Sequence, residues 1–126
     1  FLAMPAGCPN ADRFVVLEDW LADAVPMALP AATNVLIDWY IENQTGHGRW
    51  RLLDRRVDPK TLTQPALCVI GRRDHIAPPA LSDALPAAMP AAETLSLPLG
   101  HVGMIASRRA PDICWRAVAA FLTRDV

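Results

Sequence analysis

Asp74 and His101 are the residues whose types and positions best suit acid–base chemistry. Asp74 follows an apolar run at residues 65–71, and His101 follows a second short segment at residues 93–97. Functional groups in open parallel α/β sheets collect beyond the carboxyl ends of strands, so both side chains should reach one rim of a sheet. A carboxylate that orients an imidazole and stabilises its charged form serves a general base. We therefore predict that they are the acid and base of a catalytic triad.

The elements around this pair predict an α/β fold with a parallel sheet. Residues 65–71 form a continuous apolar run bounded by breakers, which is typical of a strand buried on both faces. We expect a helix after Pro78, short or broken at Pro86, and then a strand at residues 93–97. From Pro111 the spacing predicts a final helix with these residues on one stripe: Ile113, Ala117, Val118, Phe121 and Leu122.

Two strands cannot satisfy both edges and both faces of a sheet. The order of the elements is strand, helix, strand and helix. This order still favours an α/β domain over an all-helical or all-β domain. We expect the remaining strands to come from residues outside this chain or from another chain.

The N-terminal part is predicted to be helical. Residues 1–13 contain breakers and are expected to be irregular, whereas a helix should run from Phe14 along a stripe that includes Leu17, Leu21, Ala24, Val25 and Ala28, with a kink or end at Pro26. A second helix is expected after Pro30, with Leu36, Trp39, Tyr40 and Asn43 on one face. We assign residues 1–48 to a helical cap and residues 49–126, which open with a polar connector, to the C-terminal part of an α/β core.

Composition excludes several classes of function. The 126 residues are 52% hydrophobic and 20% charged with a formal charge of −1, which favours a globular protein without affinity for nucleic acid or anionic membranes. No apolar run approaches a membrane span and no secretory signal is visible, so we expect a cytoplasmic protein. Three widely spaced cysteines indicate free thiols, and no metal or cofactor is expected. Because the chain starts at Phe1, we expect a fragment.

Several segments resemble polyhydroxyalkanoate synthases. Residues 73–78 (RDHIAP) are similar to the acid loop of that family, and residues 99–104 (LGHVGM) are similar to its histidine loop. Residues 57–65 look like the lead into the strand before the acid. Upstream, residues 20–23 (WLAD) and 39–43 (WYIEN) resemble segments of the family's cap region. The resemblance covers nearly the whole chain from the first predicted helix onward.

The resemblance implies an α/β-hydrolase fold in which a cysteine on a strand-to-helix elbow is acylated by a 3-hydroxyacyl-coenzyme A thioester. His101 would be the base and Asp74 would support it. The chain contains neither Gly-x-Cys-x-Gly nor Gly-x-Ser-x-Gly. Cys8 is no substitute, because the second glycine is missing and Pro9 removes an N–H that an oxyanion hole needs. We expect the chain alone to be inactive.

The partners implied are an acyl ester or acyl-coenzyme A substrate and the missing N-terminal part of the same fold, and a homodimer is compatible with the sequence. A serine esterase or lipase with the same acid and base is the nearest alternative. A non-catalytic binding or assembly module, in which the helices form a partner surface, is a second alternative. The dinucleotide-binding glycine spacing is absent around Gly71.

Individual residues also have alternative interpretations. Asp74 could close a turn or cap the helix near Pro78. His75 is interpreted as a loop residue at the entrance of a substrate pocket, and Trp20 and Trp39 as side chains that either line that pocket or, as we favour, pack in a core. Cys68 and Cys114 are expected to be structural. The weakest hypothesis is that a set of arginines attracts the phosphates of coenzyme A: Arg49, Arg51, Arg55, Arg56, Arg72 and Arg73.

Overall fold

The computed structural model describes residues 9–124, which form a mixed α/β structure in two compact units. The first unit ends at Trp50 and the second begins at Arg51. Cys8 and most of the predicted irregular lead-in lie outside the described residues. The assignment of the two parts as cap and core stays a prediction.

The first helix of the first unit, α1, spans Pro9–Ala22. It begins earlier than the sequence indicates, because Pro9 is tolerated in a first helical turn and its missing N–H costs nothing there. The predicted irregular structure is therefore wrong for residues 9–13. The predicted extension to Ala28 is also wrong, since residues 23–28 are not helical. Pro26 lacks an N–H and disfavours helical backbone at the residue before it.

A second helical segment follows at the predicted place. The helix α2 spans Leu29–Thr33 and continues as a π-helical segment, Asn34–Ile41. The wider turn is visible where the Glu42 N–H donates to the Ile37 carbonyl at 2.9 Å, a five-residue step. Asn43 ends the segment with a left-handed φ of 46°, a conformation that asparagine tolerates better than most residues.

The second unit opens with a small hairpin that the sequence did not reveal. The strands β1 (Arg51–Leu52) and β2 (Arg55–Arg56) pair antiparallel. Leu53 and Asp54 connect them with left-handed φ values of 48° and 59°, as a tight primed turn requires. A Leu-Asp pair is not the Asn-Gly or Asp-Gly signal that marks such turns, so only a polar connector was predicted here.

The central feature of the second unit is a parallel strand pair. The strands β3 (Ala66–Gly71) and β4 (Ala92–Leu97) pair in parallel over their whole lengths. Both strands and their parallel arrangement confirm the predictions. Between them lie α3 (Pro79–Ser82) and α4 (Ala84–Ala88), so the helix after Pro78 is broken as expected, but the break falls at Asp83 and not at Pro86, which lies within α4.

The C-terminal helices pack against this pair. A short helix that was not predicted, α5 (Gly103–Ala106), follows the histidine loop, and a π-helical segment, Pro111–Trp115, leads into α6 (Arg116–Leu122). Buried Leu97, Leu99 and Cys114 form a hydrophobic cluster. The side chains packed around it are Val69, Leu95, Met104, Ile113 and Val118. Leu122 is 74% exposed and does not extend the predicted stripe.

Burial of β3 on both faces was predicted, and this is wrong within the described residues. Ile70 and Gly71 are buried, whereas residues 66–69 are only half-buried. Burial of the two faces of a strand depends on the elements packed against them, and within residues 9–124 those elements bury only the C-terminal end of β3. No helix in this range is long and apolar enough to cross a membrane.

Candidate active site

Asp74 and His101 meet at the carboxyl ends of β3 and β4. Oδ2 of Asp74 lies 2.8 Å from Nδ1 of His101. The Asp74 side chain is only 3% exposed, whereas the imidazole is 46% exposed. One partner is thus held inside the protein and the other faces outward, which suits a supporting carboxylate and a base that must reach a reacting group.

The loop after β3 is folded around the Asp74 carboxylate. Its Oδ1 accepts hydrogen bonds from the N–H groups of Ile76 and Ala77, both at 2.8 Å. The Asp74 N–H donates to the Gly71 carbonyl at 3.1 Å. From the sequence, closing a turn and contacting the histidine were alternative interpretations of Asp74. In the structure, Oδ1 closes the turn and Oδ2 contacts His101.

These hydrogen bonds control the charge of Asp74. Burial raises the pKa of the carboxyl, but hydrogen bonds from the Ala77 N–H, from His101 and from the Ile76 N–H outweigh burial and hold the pKa below its ordinary value. The carboxylate therefore stays negative at neutral pH. A charged carboxylate at Nδ1 orients the ring and stabilises the imidazolium that forms when the ring accepts a proton.

Backbone hydrogen bonds like those between the two strands continue into both loops. The Arg72 N–H donates to the Leu97 carbonyl at 2.7 Å, and the Arg73 N–H donates to the Leu99 carbonyl at 3.0 Å. Gly71 permits this close approach, since a Cβ at that position would lie 2.7 Å from the Leu99 carbonyl oxygen. The acid loop and the histidine loop are thereby joined before either side chain makes its contact.

The second ring nitrogen of His101 is available for chemistry. When Nδ1 donates its proton to Asp74, the neutral ring carries its lone pair on Nε2. Within residues 9–124, no side chain or backbone group forms a hydrogen bond with Nε2. An exposed imidazole with a buried carboxylate behind it can accept a proton from a nucleophile and return it to a leaving group.

The three predicted pocket residues lie in different units. His75 is exposed beside Asp74 in the second unit, whereas Trp20 and Trp39 belong to the first. Trp20 is 59% exposed, so the favoured interpretation of core packing is wrong for this residue. The residue type favoured a core position, but within residues 9–50 no element buries the Trp20 side chain. The pocket itself stays a prediction.

Trp39 contacts a second tryptophan, Trp50, which helical spacing does not predict. Its ring meets the Trp50 ring edge to face, with centroids 5.1 Å apart and an angle of 88° between the planes. The two rings pack across 11 positions in sequence and join the π-helical segment to the end of the first unit. The contact favours a structural role for Trp39 in part, because such aromatic pairs stabilise a fold beyond their buried area.

The remaining candidates are cysteines and arginines, and the binding of coenzyme A phosphates by the arginines stays a prediction. Cys114 is buried and Cys68 is half-buried, and both are free thiols. In the described part of the chain, no group of three His, Cys, Asp or Glu side chains could hold a metal ion. Arg56 pairs with Asp58 at 3.4 Å and Arg72 pairs with Asp83 at 2.8 Å. The contacts of Arg72 were missed by sequence reasoning, because no spacing rule connects it with these partners.

Comparison with known proteins identifies three relatives with one name, poly(3-hydroxyalkanoate) polymerase subunit PhaC. The chain is 32% identical over 114 residues to the protein from Synechocystis, 29% identical over 110 residues to that from Haloferax mediterranei, and 27% identical over 110 residues to that from Haloarcula marismortui. The matches cover 86–88% of this chain. No protein-family model and no solved structure matches it.

The chain spans 22–30% of the length of these relatives. The likeness therefore concerns one part of a longer polymerase subunit. It includes at least 86% of the 126 residues, so most of the second unit lies within the matched region in each case.

Proposed function

We propose that this chain is the acid- and base-bearing part of an α/β-hydrolase-fold polymerase that joins 3-hydroxyacyl units from coenzyme A thioesters. The observation that carries the proposal is the 2.8 Å contact between Asp74 and His101 at the ends of a parallel strand pair, in a chain similar to polymerase subunits. Neither part suffices alone, because a His–Asp contact occurs in many enzymes and the relatives extend far beyond this chain.

In the proposed reaction, His101 Nε2 takes the proton from a nucleophile as that group attacks the thioester carbonyl. Asp74 stabilises the resulting imidazolium. The proton then passes to the departing coenzyme A sulfur, which leaves as a thiol, and an acyl-enzyme remains. The hydroxyl group of the next acyl unit gives its proton to Nε2, attacks the acyl-enzyme carbonyl and releases the nucleophile with that proton. Each step uses the free nitrogen of His101 and leaves Asp74 ionised.

The nucleophile is proposed to come from another part of the same polymerase. Residues 9–124 contain Cys68 and Cys114, and both lie within regular elements that pack in the second unit. Neither stands on a strand-to-helix elbow, where such a nucleophile is presented. We call the part of the polymerase that carries this nucleophile the partner segment. It must bring a cysteine or serine to the exposed side of the His101 ring.

The open edge of β3 is proposed as the place where that partner segment pairs. β3 is apolar at five successive positions, residues 66–70, whereas β4 carries exposed Glu93, Thr94 and Ser96. Continuous apolar sequence is typical of a strand with neighbours on both sides, and polar residues are typical of an edge strand. The sheet should thus continue beyond β3 and end at β4.

The experiment uses a complete protein that contains this chain, supplied with 3-hydroxybutyryl-coenzyme A. Thiol release and polymer formation are measured together. His101→Ala and Asp74→Asn should each lower turnover by about 10⁴-fold, because the base or its orienting carboxylate is lost. Arg116→Ala is the control, since Arg116 is exposed and pairs with exposed Asp112. The 126-residue chain alone should show no turnover.

The outcomes separate the alternatives. Thiol release without polymer, together with hydrolysis of simple esters, would favour a hydrolase with the same acid and base. Full polymer formation by Asp74→Asn and His101→Ala would overturn the catalytic proposal and favour a binding module.

A further inference from the structure

The Arg72 side chain connects three segments of the second unit. Its Nε and Nη2 atoms donate to the Ser96 hydroxyl oxygen at 3.1 and 2.6 Å. Its Nη1 atom donates to Oδ2 of Asp83 at 2.8 Å. Ser96 belongs to β4, and Asp83 lies at the junction of α3 and α4. One guanidinium group thus joins the end of β3, the neighbouring strand and the helical turn beyond the acid loop.

These connections enclose the loop that carries Asp74. Arg72 stands two residues before Asp74, and Asp83 stands nine residues after it, so their ion pair closes both ends of the loop. Inside the loop, Ser82 donates from its hydroxyl to the Ala77 carbonyl at 3.1 Å. Ala77 in turn donates its N–H to Asp74. A series of contacts therefore runs from the Arg72–Asp83 ion pair through the loop to the Asp74 carboxylate.

The contact with Ser96 relates this loop to the histidine. Ser96 lies five residues before His101 on the strand that leads into the histidine loop. The Arg72 main chain makes a parallel connection, because its N–H donates to the Leu97 carbonyl at 2.7 Å. The side chain and the main chain of Arg72 therefore form hydrogen bonds with two successive residues of β4, Ser96 and Leu97.

We propose that Arg72 is a positioning residue, which holds Asp74 at hydrogen-bond distance from His101 by fixing the acid loop to Asp83 and to Ser96. This inference rests on the proposed function. The planar guanidinium suits the task, because it directs several donors at fixed angles toward two acceptors, whereas a lysine ammonium acts as a point charge. The hydrogen bonds of the Arg72 side chain go to Ser96 and Asp83, not to His101 or Asp74, so it acts through the loop.

A simple surface ion pair is the competing explanation. The Arg72 and Asp83 side chains are 41% and 46% exposed, and exposed pairs are screened by solvent and contribute little to stability. That explanation predicts a small change in stability and no change at His101. The positioning role predicts a change in the His101–Asp74 hydrogen bond at nearly unchanged stability.

The test measures the Nδ1 proton of His101 by nuclear magnetic resonance in the 126-residue chain. Arg72→Ala should speed exchange of this proton with water by about threefold to tenfold, the range expected from losing one exposed ion pair and the bonds to one hydroxyl. Arg72→Lys should restore only part of the protection, since it retains the charge opposite Asp83 but loses the fork toward Ser96. Ser96→Ala and Asp83→Asn should each produce part of the effect.

Controls keep this inference separate from the proposed function. Arg116→Ala removes an exposed arginine from its pair with Asp112, 3.3 Å apart, and should leave the His101 proton unchanged. Asp74→Asn must change the His101 signal if the two residues form their pair. If Asp74→Asn has no effect, the proposed function fails. If Asp74→Asn acts but Arg72→Ala matches Arg116→Ala, the positioning role alone is overturned.

Discussion

Nδ1 of His101 lies 2.8 Å from Oδ2 of Asp74, although the residues are 27 positions apart in the chain. The register of the parallel strands makes this contact possible, since Gly71 pairs with Leu97 and the two chains leave the sheet side by side. Arg73 and Leu99 then pair through one more backbone hydrogen bond. The contact is thus a consequence of strand pairing, and its strength should depend on residues that shape both loops.

Lowering the pH should weaken the fold through Asp74. Its pKa is held below the ordinary value, so the carboxylate contributes stability above the ordinary carboxyl pKa and loses that contribution as the pH falls through the folded-state pKa. Urea unfolding of the chain and of Asp74→Asn should differ most near neutral pH. The difference should shrink as the pH falls through the acidic carboxyl range. A difference that stays constant across that range would contradict the assigned cause.

Gly71→Ala should destabilise the second unit. The new Cβ would lie 2.7 Å from the Leu99 carbonyl oxygen, a backbone atom that can move only with the histidine loop. Overpacking of this kind costs about 1–3 kcal/mol, measured as the free energy of unfolding. The displaced loop should also shift the His101 resonances.

Gly103→Ala is the matched control. A Cβ there meets only the Leu99 Cβ, at the ordinary contact distance of 3.8 Å. Gly103 begins α5, where alanine favours helix more than glycine by up to about 1 kcal/mol. This variant should be as stable as the parent or more stable. Equal losses for both glycine variants would show that contact with Leu99 is not the cause.

The two strands, and the places of Asp74 and His101 just after them, were predictable because they depend on local sequence. Five apolar residues between breakers define β3, and Asp74 and His101 follow the two strands at corresponding places. The tight turn at Leu53 and Asp54 was not predictable, because leucine strongly disfavours a left-handed backbone and a Leu-Asp pair is not a sequence signal for such a turn.

Packing between distant parts of the chain explains the other differences. The residue type favours a core position for Trp20, but only the fold determines whether another element covers the side chain, and Trp20 is 59% exposed. The Arg72 contacts with Ser96 depend on strand register, which the sequence does not specify. Aspartate chemistry allowed two roles for Asp74, and only the loop geometry shows that the two carboxylate oxygens divide them.

Leu97→Ala should be among the most destabilising substitutions in the second unit. Leu97 is 4% exposed and belongs to the cluster with Leu99 and Cys114. Truncating a buried leucine costs about 2–5 kcal/mol through lost burial and a residual cavity. Leu122→Ala is the comparison, since Leu122 is 74% exposed and its truncation should change stability by about 0.5 kcal/mol at most. Similar losses for both variants in urea unfolding would refute the assignment of the core.

Hydrogen exchange should reveal whether the open edge of β3 receives a strand. The Ala66 N–H donates to the Ala91 carbonyl and the Arg72 N–H donates to the Leu97 carbonyl, which sets the even-numbered residues toward β4. Alternate residues direct their N–H groups to opposite edges, so Leu67 and Val69 point to the open edge. In the 126-residue chain, their amides should exchange faster than those of the even-numbered residues between them.

In a complete protein that contains this chain, the amides of Leu67 and Val69 should become protected, because a new strand accepts their hydrogen bonds. The amides of Cys68 and Ile70 are internal controls, since they already face β4 and should be protected in both proteins. The amides of Thr94 and Ser96 point away from β3 and should stay exchangeable if β4 is the edge of the sheet. The proposed pairing would be refuted if the amides of Thr94 and Ser96 became protected while those of Leu67 and Val69 still exchanged. That result would mean that the sheet continues beyond β4 and not beyond β3.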